Sequence, residues 1–550
     1  MKNIFKNLSI LILFVTVSGF IQGDSDIYFQ MSKGIDIFGR VYKEVAINYV
    51  DEVKPQKFML EGIQGMLSTL DPYTVYIDEN HQKDIELITR GKYGGIGATV
   101  GLYNDKITIV DLIEGYSAQR QGIRIGDVIV KVDSIDMSKE NYDELGKYLK
   151  RDPGTEISLT IERDGKKGNI TFELISEEIE IKNLTYYGFV PEESNNAYLK
   201  LSGFSRSAGD EIRKAIQELR VLKDIKSIVL DLRGNPGGLL DAAIDVSEKF
   251  LKKGNLVVSI RGREKDKEQF YNAKEVPITG ETKLAVLVDH GSASASEIVA
   301  GALQDHDRGV VLGSKSFGKG LVQTVIPLSF NTSLKMTTAR YYTPSGRCIQ
   351  EIDYSQNKEL FDISGTDKKK VYFTDNKREV FASGGILPDS LIKNSSDSPL
   401  VRSLLAKGMF FKFATNYYNT STYESVKAEK DEKLFSIFMD YLEKADFSYK
   451  TESELLLDDL MSTIKKEGYN SNLLEEVENL NKKFEVIKKD ELIKYKNDIL
   501  SEIKSEIAAR IDGRKGRIIE SLKHDDQFSS ALEILSNKKT YEGLLNVAIK

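Results

Sequence analysis

Long apolar strands in the middle of this 550-residue chain constrain its fold more than any other feature. SIVLDLR at 227–233 and KLAVLVD at 283–289 carry large apolar residues almost without interruption and belong in an interior. From Asn196 to about Leu391 such strands alternate with helical segments, for instance LLDAAIDVSEKFLKKG at 239–254. Strand, loop and helix in that order predict a layered α/β core. Single cores rarely grow past about 250–300 residues, so the remaining chain must form other domains.

The flanks read differently. Ile37, Val41, Val45 and Tyr49 recur every four positions, and Met59, Ile63, Met66 and Leu70 mark a second helical stretch that stops at Asp71-Pro72. Residues 24–90 are therefore expected to be a small helical region. The block that opens KYGGIGATVGLYNDKITIVDLI carries short alternating strands at 106–113, 127–132 and 156–162, with a helical stretch at 139–150. This predicts a compact, mostly β module over 91–176, ahead of the core at 177–398. Beyond Pro399 the chain is helical and charged. There Leu492, Tyr495, Ile499, Ile503, Ile507 and Ile511 step by three or four, which fits a helix packed on its own domain; a dimerising or partner-binding helix is the alternative.

Composition removes several function classes. The net charge of −7, spread over the whole length, argues against a nucleic-acid partner. One cysteine, Cys348, permits neither a disulfide framework nor a cysteine zinc site. The four histidines (His81, His290, His306, His524) include no pair at metal-ligand spacing, which leaves histidine-centred catalysis few candidates; no metal and no other cofactor is expected. At the start, Lys2 and Lys6 precede an apolar run from Leu8 to Ile21, followed by small residues. That is the layout of an export signal over 1–23, too short for a membrane-spanning helix of about 20 residues. An uncleaved N-terminal membrane anchor is the alternative.

GSKSFGKG, Gly313 to Gly320, is one residue short of a phosphate-binding loop, which ends in Lys followed by Ser or Thr. Such a loop opens into a helix whose amides face the anion. Here GLVQTVIPLSF, a β-type run closed by Pro327, follows Lys319, and the hydroxyl for magnesium is missing. Lys319 therefore needs another task. Upstream, AVLVDHGSASASEIVAGALQD ends a buried strand at Asp289, passes through small residues and begins a helix near Ala295. A serine at a strand-to-helix turn can be a nucleophile. Ser294-Ala-Ser-Glu297 also fits a helix capping box, and this segment alone leaves both readings open. His290 sits at a strand end four residues before Ser294, which favours a structural role over that of its base, whereas a lysine kept neutral by apolar surroundings can serve. The adjacent glycines in DLRGNPGG, 231–238, leave backbone amides unobstructed, as an oxyanion hole requires, or simply form a tight turn.

Taken together, GSASASEIVAGALQD, SKSFGKGLVQ, DLRGNPGG, YYTPSGRCIQ (341–350) and GGILPD (384–389) resemble, in order and spacing, the carboxyl-terminal processing peptidases, or tail-specific proteases. The resemblance covers about residues 35–395. It implies a multidomain α/β protein: a layered core of the crotonase/ClpP-like kind, an inserted PDZ domain, an N-terminal helical region and a C-terminal helical extension. It further implies a Ser–Lys dyad, with Ser294 as nucleophile, Lys319 as general base and Gln323 supporting the lysine. Residues four apart on a strand face the same side, which suits that support. The oxyanion donors would be the amides of Ala295 and of Gly237 or Gly238, and Asp305 would be a supporting acid. Tyr93-Gly94-Gly95-Ile96-Gly97 is similar to the carboxylate-binding loop of a PDZ domain, implying protein or peptide substrates with accessible C-termini. The expectation is an exported endopeptidase of a bacterial periplasm or cell envelope, with self-association through the helical regions left open. A non-catalytic PDZ adaptor is the rival reading. An acyl-CoA enzyme would leave the PDZ module unexplained. Cys348 stands where Ser is the commoner residue after Gly-Arg and is expected to be a buried small side chain.

Overall fold

The apolar strands of the core send alternate side chains to opposite faces of one sheet, and both faces are covered. In the strand Ser227–Asp231, Ile228 and Leu230 face one core cluster and Val229 the other. In Lys283–Val288, Leu284, Val286 and Val288 oppose Ala285 and Leu287 in the same way. A strand buried on both faces has no polar side, which is why these segments read as continuous apolar runs. The sheet runs in the order Leu184–Phe189, Asn196–Leu201, Ser227–Asp231, Lys283–Val288, Val310–Gly313, Ser390–Leu391. All its pairings are parallel except the first. Helices Ala208–Leu222, Leu240–Glu248 and Ala295–Asp305 cover one face through Ile212, Ile216, Val246, Val299 and Leu303.

This computed structural model describes residues 22–79, 91–264, 268–352, 354, 370–382, 384–392, 398–421, 429–469 and 471–546. The apolar run Leu8–Ile21 and His81 lie outside them. Among the described residues no helix is long and apolar enough to cross a membrane. The chain divides into two compact units, one of Met1–Gln82, Gln323–Thr337 and Tyr354–Asn357, the other of Lys83–Val322, Thr338–Asp353 and Lys358–Lys550.

In the smaller unit, helices Gln22–Asn48 and Pro55–Leu67 meet through the stacked rings of Tyr42 and Phe58, 5.8 Å between centroids. Val75–Ile77 pairs antiparallel with residues 333–335. In the larger unit, the β module is a sheet ordered Ala98–Tyr103, Lys106–Leu112, Val128–Val132, Glu156–Glu162, Asn169–Ile175. Its helical stretch is a 3₁₀ turn, Lys139–Glu144, running into the short helix Leu145–Leu149.

The charged C-terminal segment uses its apolar stripe internally. Ile499, Ile503 and Ile507, on the helix Lys496–Leu522, are buried against Phe410, Phe413 and Phe438. The last helices, Asp526–Ser536 and Lys538–Leu544, then cover the second face of the central sheet. Phe528 packs edge-on against Tyr198 at 5.4 Å, and the Tyr541 hydroxyl accepts the Leu284 N–H at 3.0 Å. Phe528→Ala should therefore destabilise the protein by about 3–5 kcal/mol. A denaturant midpoint that falls with an unchanged slope would confirm this, and an unchanged midpoint would refute it.

Candidate active site

Parallel strands end at one edge of their sheet, and the loops that leave that edge are where α/β folds build sites. Three such loops meet here: 232–239 after Ser227–Asp231, 289–294 after Lys283–Val288, and 314–320 after Val310–Gly313. The strand that begins at Leu321 confirms that no helix follows Lys319.

Of the three serines in SASAS, two are spent on structure. Ser292 is fully buried, its hydroxyl bonded to the Leu232 carbonyl at 2.9 Å, and the buried Ser296 hydroxyl donates to the Asn235 carbonyl at 2.8 Å. Ser294 is half-buried and directly precedes the helix Ala295–Asp305. Its backbone has φ 55° and ψ −112°, a conformation that side-chain-bearing residues adopt rarely and at a cost of about 1–3 kcal/mol. The capping arrangement is in place, but its well-formed half is the Glu297 carboxylate accepting the Ser294 N–H at 2.9 Å. The Glu297 N–H reaches the Ser294 carbonyl at 2.9 Å, and Ser294 Oγ makes no cap hydrogen bond. Capping and an available hydroxyl are therefore compatible.

Glu297 does more than cap. Its Oε2 also accepts the Lys319 N–H at 2.9 Å, while its Oε1 accepts the Gly318 N–H at 2.7 Å and the Ser316 hydroxyl at 2.5 Å. One carboxylate oxygen thus holds the backbones of Ser294 and Lys319 together. Tyr341 repeats the connection from the carbonyl side. Its buried hydroxyl lies 3.1 Å from the Ser294 carbonyl and also contacts the Lys319 carbonyl. Burial pushes the Glu297 carboxyl up to about 7, against the pull of its four hydrogen bonds. Sequence reading saw Glu297 only as a cap and Tyr341 only as part of a motif. The remaining motifs support the same loop. Gln350 Oε1 accepts the Gly320 N–H at 2.7 Å, and the Ile386 N–H donates to Ser316 Oγ at 2.6 Å.

Across from Ser294, the buried Asn235 ties down the glycine loop. Its carbonyl accepts the Ala293 N–H at 3.0 Å, and its Oδ1 accepts the Gly237 N–H at 2.9 Å. Gly237 has φ 100°, and a Cβ there would sit 2.9 Å from both the Ala295 nitrogen and Ser294 Cβ. A side chain at 237 would close the space in front of the first helix amide. Gly238 abuts Phe204, whose carbonyl would be 2.4 Å from an added Cβ. The loop leaves its strand at Asp231, which is fully buried among Arg233, Lys200 and Tyr198. Burial opposes its charge, but the Arg233 guanidinium and Lys200 ammonium overcome this and hold the carboxyl well below the usual range.

Lys319 is half-buried. Gln323 belongs to the smaller unit, where its Nε2 donates to Thr337 Oγ1 at 3.3 Å and Thr337 Oγ1 donates to Asp71 at 3.2 Å. Asp305 pairs with the buried Arg347 at 2.8 Å and accepts the Ser345 N–H at 2.9 Å, fastening the turn after Tyr341-Tyr342. Cys348 is half-buried rather than buried, because it lies in an isolated bridge to Tyr342 at the rim of that turn. His290 is exposed against the Phe317 ring, and His306 is held by Asn255, Leu256 and Asp375.

In the β module, Tyr93, Gly94 and Gly95 are not an open loop: Lys92–Gly95 pairs antiparallel with Glu177–Glu180. Gly94 is required there, since an added Cβ would lie 2.0 Å from the Arg151 carbonyl. The turn itself is Ile96-Gly97, with Gly97 at φ 79°, and it leads into the strand Ala98–Tyr103 at the end of its sheet.

Comparison with known proteins gives four family-model matches: peptidase family S41 at residues 195–357, a PDZ domain at 94–174, the N-terminal domain of the activating protease CtpB at 21–81, and the C-terminal helical domain of a probable PDZ-protease at 400–535. The chain is 38% identical over 352 residues to the carboxy-terminal-processing protease of Bartonella bacilliformis, covering 64% of this chain and 79% of that one. It is 32% identical to the carboxy-terminal processing protease CtpB of Bacillus subtilis, covering 60% and 68%. Among solved structures, a photosystem II D1 C-terminal processing protease is 24% identical, with 65% and 92% covered and a TM-score of 0.35.

The raised Glu297 carboxyl sets a pH dependence. Its folded value of about 7 lies above the ordinary 4.5, so its contribution to stability is full below about 4.5 and is lost as pH rises through 7. The wild type should therefore gain melting temperature relative to Glu297→Gln, which has no such proton, as pH falls from about 8 to 5. A difference independent of pH would overturn the assignment.

Proposed function

The chain belongs to the carboxy-terminal processing proteases, serine peptidases of family S41, and on that premise we propose that it is an exported endopeptidase that uses Ser294 as nucleophile and Lys319 as general base to cut substrates near their C-termini. The observation that carries the dyad is the double connection through Glu297 and Tyr341, which ties the Ser294 and Lys319 backbones to the same two groups. The presence of Ser294, Lys319 and Gln323 argues against the adaptor reading.

In the proposed reaction the neutral Lys319 amine takes the proton of Ser294 Oγ as the oxygen attacks the scissile carbonyl. The developing oxyanion is met by the Ala295 N–H, the first amide of its helix and so not bonded within it. Of the two glycines, Gly238 is favoured as second donor because the Gly237 N–H is already given to Asn235. The protonated lysine returns its proton to the leaving amine. Water, deprotonated by the same lysine, then attacks the acyl-serine ester, and the lysine returns that proton to Ser294 Oγ as the ester bond breaks. Gln323 is the proposed support for Lys319, a role carried over from the family resemblance alone.

Substrate selection is assigned to the PDZ domain. A peptide would extend the sheet beside Ala98–Tyr103, with its terminal carboxylate at the turn Ile96-Gly97 and the flanking Tyr93, Gly94 and Gly95 shaping that turn. Export rests on the basic start and apolar run of residues 2–21; the first residue of the chain recovered from the cell envelope, read by N-terminal sequencing, tests it.

Ser294→Ala and Lys319→Ala should each abolish cleavage of an unfolded protein at an unchanged melting temperature; normal cleavage by either variant refutes the dyad. Gly237→Ala, which strains φ and crowds the Ala295 amide, should lower kcat by on the order of 100-fold to 1000-fold. Amidating a substrate's C-terminus should raise KM with little change in kcat, and equal KM values would exclude carboxylate reading.

A further inference from the structure

The glycine loop is held from outside the peptidase core. Arg233, at its start, gives its guanidinium to Asp231 two residues earlier and also to the far end of the chain. Its Nη1 lies 2.7 Å from the Asp525 carboxylate and 3.1 Å from Gln527 Oε1. Both partners stand at the start of the helix Asp526–Ser536 and are themselves anchored. Asp525 Oδ1 caps that helix by accepting the Phe528 N–H at 2.9 Å, and the buried Gln527 donates to the Ile392 carbonyl at 2.9 Å. Beyond Arg233 the loop passes through Gly234, whose N–H goes to Asp289 at 2.8 Å, and Asn235, which is bonded to the serine segment.

Charge makes the distant contact consequential. Arg233 and Lys200 face two carboxylates, Asp231 and Asp525, and the Lys200 ammonium also donates to the Arg233 carbonyl at 2.8 Å. The cluster is balanced only while Asp525 is present. Without it two cations compete for Asp231 alone, in an interior where an uncompensated charge is costly. The Arg233 carbonyl and guanidinium are thus both bonded at the start of the chain that carries Gly237 and Gly238.

We propose that Asp525 and Gln527 are positioning residues for the peptidase site: the C-terminal helix holds Arg233 so that the loop 234–238 presents its glycine backbone to Ser294. This rests on the assignment of that loop and Ser294 to the reaction. The C-terminal helical region then acts on the reaction through Arg233 and the loop it begins.

The test uses the full chain. Asp525→Asn keeps a good helix cap while removing the charge, and Gln527→Ala removes the second contact without touching the cap. Each variant, and the pair, should lose melting temperature, because each leaves a buried charge or polar group short of a partner, but should stay folded at the assay temperature. For the pair, kcat on an unfolded protein substrate should fall between about 10-fold and 100-fold, with KM within about twofold, as expected for a displaced transition-state donor. Amide hydrogen exchange across 233–238, measured in a Ser294→Ala background, should accelerate when both substitutions are present. A folded Gln527→Ala or paired variant with wild-type kcat, or a loss carried entirely by KM, overturns the proposal. Because exchange needs no turnover, the two failures separate: an active Ser294→Ala overturns the site assignment, whereas an inactive Ser294→Ala with unchanged exchange at 233–238 overturns the positioning role alone.

Discussion

A single buried carboxylate holds the candidate site together. Glu297 accepts hydrogen bonds from the backbones of Ser294, Gly318 and Lys319 and from the Ser316 hydroxyl, so two loops that leave different strands share one anchor. An unpaired charge in such a place would be prohibitive, and four donors are what make it tolerable. Those donors come from two segments about twenty residues apart, so the carboxylate is satisfied only when both loops have arrived. Tyr341 fixes the same two residues through their carbonyls. The strained Ser294 backbone persists because its N–H and carbonyl are both bonded from outside. With the backbones fixed this way, the hydroxyl of Ser294 is not consumed as a structural group.

The legible parts of the fold were those whose cause is local. Apolar runs at 227–233 and 283–289 announced doubly covered strands, and the β-type run after Lys319 ruled out a phosphate loop, because side-chain periodicity and helix initiation act over a few residues. Ends were less legible. The helix read over 239–254 stops at Glu248, and the strand read to Arg233 stops at Asp231, where a buried charge cluster takes over from the ladder.

What could not be read from sequence was set by distant partners. Glu297 has the spacing of a helix cap, and nothing near it shows that Gly318 and Lys319 will share the carboxylate. The choice between Gly237 and Gly238 turns on an Asn235 side chain that, in sequence, only marks a turn. The apolar stripe Leu492–Ile511 favoured its own domain but left a partner as the alternative, since nothing near it in sequence shows that Phe410, Phe413 and Phe438 lie against it. Tyr93 to Gly95 were read with the carboxylate-binding loop because the strand that pairs with them, Glu177–Glu180, enters from the other end of the module.

The covering of the central sheet by the last helices also governs the order in which the molecule can be completed. Leu284 and Tyr541, bonded through the tyrosine hydroxyl, are 257 residues apart in the chain. Until the segment around Phe528 and Tyr541 is available, Val229, Ala285, Leu287 and Leu312 lack much of their apolar cover. Closing so long a loop is slow relative to local structure formation. The helices and hairpins can therefore form early, while the two-sided sheet waits for the end of the chain. A copy cut short before residue 522 would carry every residue of the proposed dyad and oxyanion loop, yet one face of its sheet would lose the cover of Phe528, Ala531, Leu535 and Tyr541.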